Sequence, residues 1–209
     1  NPCSEYLFLT STACNLASLK LTAFLQEDGS LDVDAFQRAI RIFIIAQDIL
    51  VDLSSYPTKD IAENSHVYRT LGLGYMDLGS LLMLKGLPYD SEEGRTYAAA
   101  VTSLLGATAY RVSAELAQTM GPFAGYAKNA EPMYEVMCLH HAASKKAYAG
   151  ATGEARELLA IATTTWADVL YAGRVSGSGF RNAQTTLLAP TGTIGYLVDA
   201  ETTGVEPNL

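Results

Sequence analysis

The chain has 209 residues, 49% of them apolar, with a formal net charge of −8 and a pI near 4.8. That is enough apolar material for a sizeable core and too much for a disordered segment. Its 14 basic residues form no cluster, which argues against a nucleic-acid partner. Three cysteines are too few for a secreted disulfide framework, and neither a signal peptide nor an 18-residue apolar run is present, so a cytoplasmic protein that meets no membrane is expected.

Asn1-Pro2-Cys3-Ser4-Glu5 opens the chain. In an extended segment alternate side chains share a face, so the Asn1 amide, the Cys3 thiol and the Glu5 carboxyl could converge on one small molecule. A thiol beside a carboxylate, with no cation near it in the sequence, is a poor thiolate nucleophile because the negative charge raises its pKa. It suits hydrogen-atom chemistry better. The competing reading is a cysteine packed in a loop, as free cysteines commonly are. The missing initiator methionine and the end at Pro207-Asn208-Leu209 suggest cuts at both termini. With no internal linker or repeat, residues 1–209 read as one partial domain of a larger protein.

A small, apolar run from Thr12 to Ala23 precedes a turn at Glu27-Asp28-Gly29-Ser30. Ile40, Phe43, Ile44, Ile49, Leu50 and Leu53 then recur near helical spacing, and Pro57 closes that helix. Gly72, Gly74 and Gly79 lie among large apolar residues, where they permit close backbone approach or a turn. Asp90 or Ser91 can cap a long helix over about 91–119, with Glu92 and Glu93 in its first turn. Further helices are expected over about 132–148 and 152–173. After the break at Gly177-Ser178-Gly179, Thr185 to Ala189 reads as a buried strand, Pro190-Thr191-Gly192-Thr193 as a tight turn, and Ile194 to Val198 as apolar again.

Thr191, Gly192, Thr193 and Ile194 offer amides and hydroxyls to phosphate oxygens, although the loop lacks the Gly-Lys-Ser/Thr of a Walker motif and such turns are often structural. Cys14 follows Cys3 by eleven positions, and a chain reversal could bring both to one cavity. No metal site is expected, since no two cysteines have zinc-site spacing and adjacent His140 and His141 diverge by about 100° on a helix. Tyr110, Tyr126, Tyr134 and Trp166 are assigned to the core.

Asn1-Pro2-Cys3-Ser4-Glu5-Tyr6, Thr12-Ala13-Cys14-Asn15-Leu16-Ala17-Ser18-Leu19 and Ala189-Pro190-Thr191-Gly192-Thr193-Ile194-Gly195, in that order, resemble the catalytic subunit of ribonucleotide reductases. The resemblance covers essentially the whole chain. It is closest to the adenosylcobalamin-dependent class II branch through Gly72-Leu73-Gly74-Tyr75, Gly86-Leu87-Pro88-Tyr89-Asp90-Ser91, Arg181-Asn182-Ala183-Gln184 and the run from Asp199 to Pro207.

The resemblance implies an α/β fold: part of a ten-stranded α/β barrel, its C-terminal portion, with a central finger loop carrying Cys3, helix-rich in this stretch. It implies that Cys3 becomes a thiyl radical that takes the ribose 3′ hydrogen, that Glu5 takes the 3′-hydroxyl proton, and that Asn1 hydrogen-bonds the ribose. Cys14 matches a redox cysteine whose disulfide partner lies upstream of this chain. Thr191, Gly192, Thr193 and Ile194 match the loop that holds substrate phosphates. Adenosylcobalamin is the implied cofactor. The implied partners are a ribonucleotide substrate, a thioredoxin-like or glutaredoxin-like reductant, and the remainder of the enzyme, whether in the same polypeptide or as a second chain. A class I subunit served by a separate metal radical protein, or a noncatalytic nucleotide-binding or assembly piece of a split enzyme, are the alternatives; on any of these readings the fragment alone should not turn over.

Overall fold

The computed structural model describes residues 3–174 and 177–208. Strand β1, Asn15–Lys20, pairs in parallel with strand β2, Leu71–Met76, in a register that sets Asn15 opposite Leu71 and Lys20 opposite Met76. Parallel neighbours need a long crossover. Here it consists of a 3₁₀ turn at Leu21–Phe24, helix α1 (Val33–Leu53) and helix α2 (Lys59–Tyr68). All six residues of β2 are buried, as expected of a strand covered on both faces.

Asp32 caps α1, its carboxylate accepting from the Ala35 amide at 2.8 Å. Its core face runs through Phe36, Ile40, Ile44, Gln47, Asp48 and Val51. Two of the residues assigned to that face by spacing, Ile40 and Ile44, are on it. Phe43, Ile49, Leu50 and Leu53 instead face outward, together with Ile42, which is 65% exposed. The apolar pattern of this helix is two-sided, so periodicity alone picked a mixture of both faces.

Short helix α3 (Leu78–Leu84) leads to α4 (Glu92–Met120), capped by Ser91, whose hydroxyl accepts from the Gly94 amide at 2.9 Å. Helix α5 spans Tyr126–Gly150 and α6 spans Gly153–Arg174. The expected start of α5 at Pro132 is six residues late. Tyr126 stacks edge-on against Phe123 and Phe180, with its hydroxyl donating to the Gly173 carbonyl at 3.1 Å, and these contacts hold a helical turn before the proline.

One core joins both strands, α1, α4 and α6 through Leu71, Leu73, Tyr75, Ile40, Leu104 and Leu158. A second, aromatic core joins α4, α5 and α6 through Tyr110, Phe123, Met137, Trp166 and Phe180. Tyr126 packs on the aromatic core as expected, whereas Tyr134 lies at its margin with the Arg174 guanidinium 4.5 Å from its ring centre.

The stretch 185–189 alternates in burial and joins β2 by a single parallel bridge, Leu73 to Thr186, on the edge away from β1. It is an incomplete third strand rather than a continuous buried one, held to β2 by the Leu187 amide on the Leu73 carbonyl and by the Leu71 and Leu73 amides on the Gln184 and Thr185 carbonyls. The expected tight turn at 190–193 instead opens a six-residue helix, α7 (Gly192–Leu197). Among the described residues the architecture is helix-rich α/β with a small parallel sheet, and these residues alone do not close a ten-stranded barrel. No helix among them is long and apolar enough to cross a membrane.

Candidate active site

Cys3 sits in a turn whose next residue, Ser4, has φ of +59°, so the segment bends instead of running extended. The bend turns Glu5 back on the tip: its carboxylate accepts from the Cys3 amide at 3.0 Å. Cys3 is exposed, which removes the packed-cysteine reading. The Glu5 carboxylate thus meets the Cys3 backbone through a reversal, and strand alternation plays no part. Asn1 lies outside the described residues.

Beyond Glu5 the segment 6–13 has no regular structure, and distant groups fasten it. The Tyr6 hydroxyl donates to Thr12 Oγ1 at 3.0 Å and meets Thr70 Oγ1 at 2.8 Å. Burial raises the Tyr6 pKa, the two hydroxyl partners opposing the effect in part. The ring packs with Leu187, Ala189, Phe8 and Cys14. Farther along, the Ala13 amide donates to Ser65 Oγ at 3.0 Å.

Cys14 is half-buried, one residue before β1, and burial, reinforced by the Glu5 carboxylate, pushes its thiol up to about 12. It stays protonated at neutral pH. Its sulfur rests above Gly72, where an added Cβ would meet Cys14 Sγ at 2.7 Å and Leu187 at 2.8 Å. The glycine in β2 therefore serves close approach, one of the two roles open to it from sequence. Glu5 and Cys14 line one cavity of about 410 Å³, together with Tyr6, Phe8 and Leu16. That volume lies within the range of small-molecule sites.

The third motif approaches from the other end of the chain through the residues ahead of it, while Thr191, Gly192, Thr193 and Ile194 do not line the Glu5–Cys14 cavity. Leu187 and Ala189, which pack on Tyr6 and Cys14, stand just ahead of Thr191. Thr191 is buried, its hydroxyl donating to the Thr203 carbonyl at 2.7 Å and its amide to the same oxygen at 3.1 Å. Those bonds fix the backbone at the start of α7. Thr193 is exposed beside them, and Gly192 has open space where a Cβ would be.

Sequence reasoning passed over a buried ionic knot beneath this site. Arg69 closes α2 in the left-handed region, at φ +50°, and is 5% exposed. Its guanidinium donates to Asp48 Oδ1 at 2.9 Å and to Asp52 at 2.7 and 3.0 Å. Arg181 reaches Asp48 Oδ2 at 3.3 Å, and Asn182 Nδ2 bridges Asp48 at 2.8 Å and the Arg69 carbonyl at 3.1 Å. The participants are spread over more than 130 positions, so only the composition of Arg181-Asn182 could have hinted at it.

His140 stacks on Trp166 with ring centres 5.1 Å apart, and desolvation at that contact lowers its pKa.

A family model described as the ribonucleotide reductase barrel domain matches residues 1–209. The vitamin B12-dependent ribonucleotide reductase of Rhodopirellula baltica is 51% identical over 209 residues, covering 100% of this chain and 20% of that protein. Those of Streptomyces clavuligerus and Agrobacterium fabrum are 47% and 42% identical, again over 100% of this chain and over 22% and 17% of their own lengths. The chain thus spans about a fifth of the length of these curated relatives.

Proposed function

This chain belongs to the ribonucleotide reductase barrel-domain family, and from that premise we propose that it carries the reacting thiol of an enzyme that reduces ribonucleotides to deoxyribonucleotides with adenosylcobalamin. The observations that support this best are the Cys3–Glu5 hydrogen bond, the cavity that Glu5 lines with Cys14, and the packing of Leu187 and Ala189, just ahead of Thr191, on Tyr6 and Cys14. On this reading the chain is the C-terminal portion of a catalytic barrel whose remaining strands come from the rest of the protein.

Adenosylcobalamin, when bound, supplies a carbon-centred radical. The chain suits it at one residue: Cys3 is exposed, so its thiol is open to a radical generated beside it. Cys3 gives up a hydrogen atom and, as a thiyl, takes the ribose 3′ hydrogen, while Glu5 accepts the 3′-hydroxyl proton from its place beside the Cys3 amide. Asn1 is assigned the ribose hydrogen bond. The 2′-hydroxyl leaves as water, and its two electrons and two protons come from two thiols, Cys14 and an upstream cysteine, which end as a disulfide. A thioredoxin-like or glutaredoxin-like dithiol then restores them. Cys14 fits the donor role because its raised pKa keeps hydrogen on sulfur until reaction. Thr191, Gly192, Thr193 and Ile194 are assigned to the substrate phosphates, with the Thr191 hydroxyl holding the loop and Thr193 facing out.

The test is ribonucleotide reduction by the complete protein with and without adenosylcobalamin, in the wild type and in Cys14→Ser. Turnover is expected only with the cofactor, and the variant should stop after about one turnover when a small dithiol is the reductant. Sustained turnover by Cys14→Ser would remove its redox role; turnover without adenosylcobalamin, given a metal radical protein, would move the chain to the class I reading.

A further inference from the structure

We propose that Tyr6, held by Thr70, is the positioning residue that seats the finger segment against β2 and so sets where Cys3 and Glu5 stand. This rests on the functional reading above and extends it to residues that do not touch the chemistry.

The hydroxyl geometry has a direction. Thr12 donates to the Leu9 carbonyl at 2.6 Å, so Thr12 Oγ1 is an acceptor toward Tyr6. Tyr6 spends its one proton on Thr12 at 3.0 Å. The Tyr6 oxygen is then free to accept from Thr70 at 2.8 Å, the single Thr70 proton being shared between it and the Ala13 carbonyl at 3.2 Å. The resulting chain, Thr70 to Tyr6 to Thr12 to the Leu9 carbonyl, ties the strand to both limbs of the finger. Thr70 also lies 3.2 Å from the Ala13 carbonyl, next to Cys14. One hydroxyl, on the residue just ahead of β2, therefore faces both Tyr6 and the Ala13 carbonyl beside Cys14.

Few other described contacts hold these residues. Leu7 is 80% exposed and Leu9 51%, whereas Tyr6 is 8% exposed. Thr70 is in turn fixed from below, since the preceding Arg69 has its carbonyl held by Asn182 and its guanidinium by Asp48 and Asp52. The ionic knot is thus continuous with the finger through two adjacent residues, Arg69 and Thr70. Tyr6→Phe keeps the ring and its stacking on Phe8, 5.9 Å between centres, and removes only the hydroxyl. It leaves the buried Thr70 hydroxyl and the half-buried Thr12 hydroxyl each short of a partner, and a small misplacement of a reacting group is enough to slow chemistry.

In the complete protein, Tyr6→Phe and Thr70→Val should each lower kcat about tenfold with KM for the ribonucleotide unchanged. Thr70→Ser, which retains the hydroxyl, should restore most of kcat, and the double variant Tyr6→Phe/Thr70→Val should lose less than the product of the two single effects, because both break the Thr70–Tyr6 link while only Thr70→Val also loses the Ala13 carbonyl contact. Amide hydrogen exchange over residues 4–13 should quicken about tenfold in Tyr6→Phe with exchange in α4 unaltered. Unchanged kcat and unchanged exchange in Tyr6→Phe would overturn the proposal, as would Thr70→Ser impaired as much as Thr70→Val. If the wild type itself reduces no ribonucleotide, the functional reading falls, and exchange alone decides the positioning role: quickened exchange upholds it and unchanged exchange rejects it.

Discussion

The helical block α4–α6 and the finger segment 3–14 are held in opposite ways. The helices are fastened locally, by their own ladders, by Ser91 at the start of α4, and by apolar faces such as Leu104, Leu158 and Trp166 that repeat along each helix. The finger has no ladder. It is held by Thr70, Ser65, Leu187 and Ala189, from fifty to nearly two hundred positions away. The difference separates two jobs. A block with dense local fastenings can carry a segment whose reactive groups remain open to a substrate, provided a few rigid anchors reach across.

Substitutions in the anchors should therefore cost more than those in the block's local signals. The largest effect is expected from Arg69→Met, which leaves Asp48 buried without its main cation; about 3–5 kcal/mol of stability should be lost in denaturant unfolding of the protein. A loss under about 1 kcal/mol would mean that Arg181 and Asn182 suffice. Gly72→Ala comes next, at about 1–3 kcal/mol, because the new Cβ would strike Cys14, Leu16 and Leu187 together. Since it strikes the finger's support, it should also quicken amide exchange near Cys14, which a loss confined to the core would not do. Ser91→Ala is the smallest, about 1 kcal/mol, with the finger's exchange unchanged. An equal effect of Ser91→Ala on the finger would erase the distinction.

The same division decided what the sequence could show. Helices α4 and α6 were legible to within a residue or two because capping and periodicity are local properties. In α1 the rule failed where Phe43, Ile49, Leu50 and Leu53 turned outward: two apolar faces on one helix defeat a periodicity argument. The glycines of β2 signalled close approach but not which atoms approach, since Cys14 and Leu187 lie far away in sequence. Spacing in the sequence pairs Cys3 with Glu5 on one face of an extended segment, whereas the structure links the Glu5 carboxylate to the Cys3 amide through a left-handed bend at Ser4, a conformation that a serine does not announce. Tyr6 and Thr70 gave no signal, because a hydroxyl's partner is fixed by tertiary packing.

The helical block also explains why the reading of Tyr110 and Trp166 as core residues holds. Tyr110 and Trp166 lie with ring centres 5.9 Å apart inside the aromatic cluster, and burial pushes the Tyr110 phenol up to about 12. A phenol so placed keeps its proton throughout the neutral range. Its contribution is packing.

The central claim is that Cys3 is the hydrogen-atom carrier for ribonucleotide reduction. The direct measurement is deoxyribonucleotide formation by the complete protein bearing Cys3→Ser, with adenosylcobalamin and a dithiol present and ribonucleotide binding followed alongside. An O–H bond yields its hydrogen atom far less readily than S–H, so the account predicts no detectable product and a substrate Kd within about twofold of wild type. Product formation at a rate comparable to wild type would contradict it.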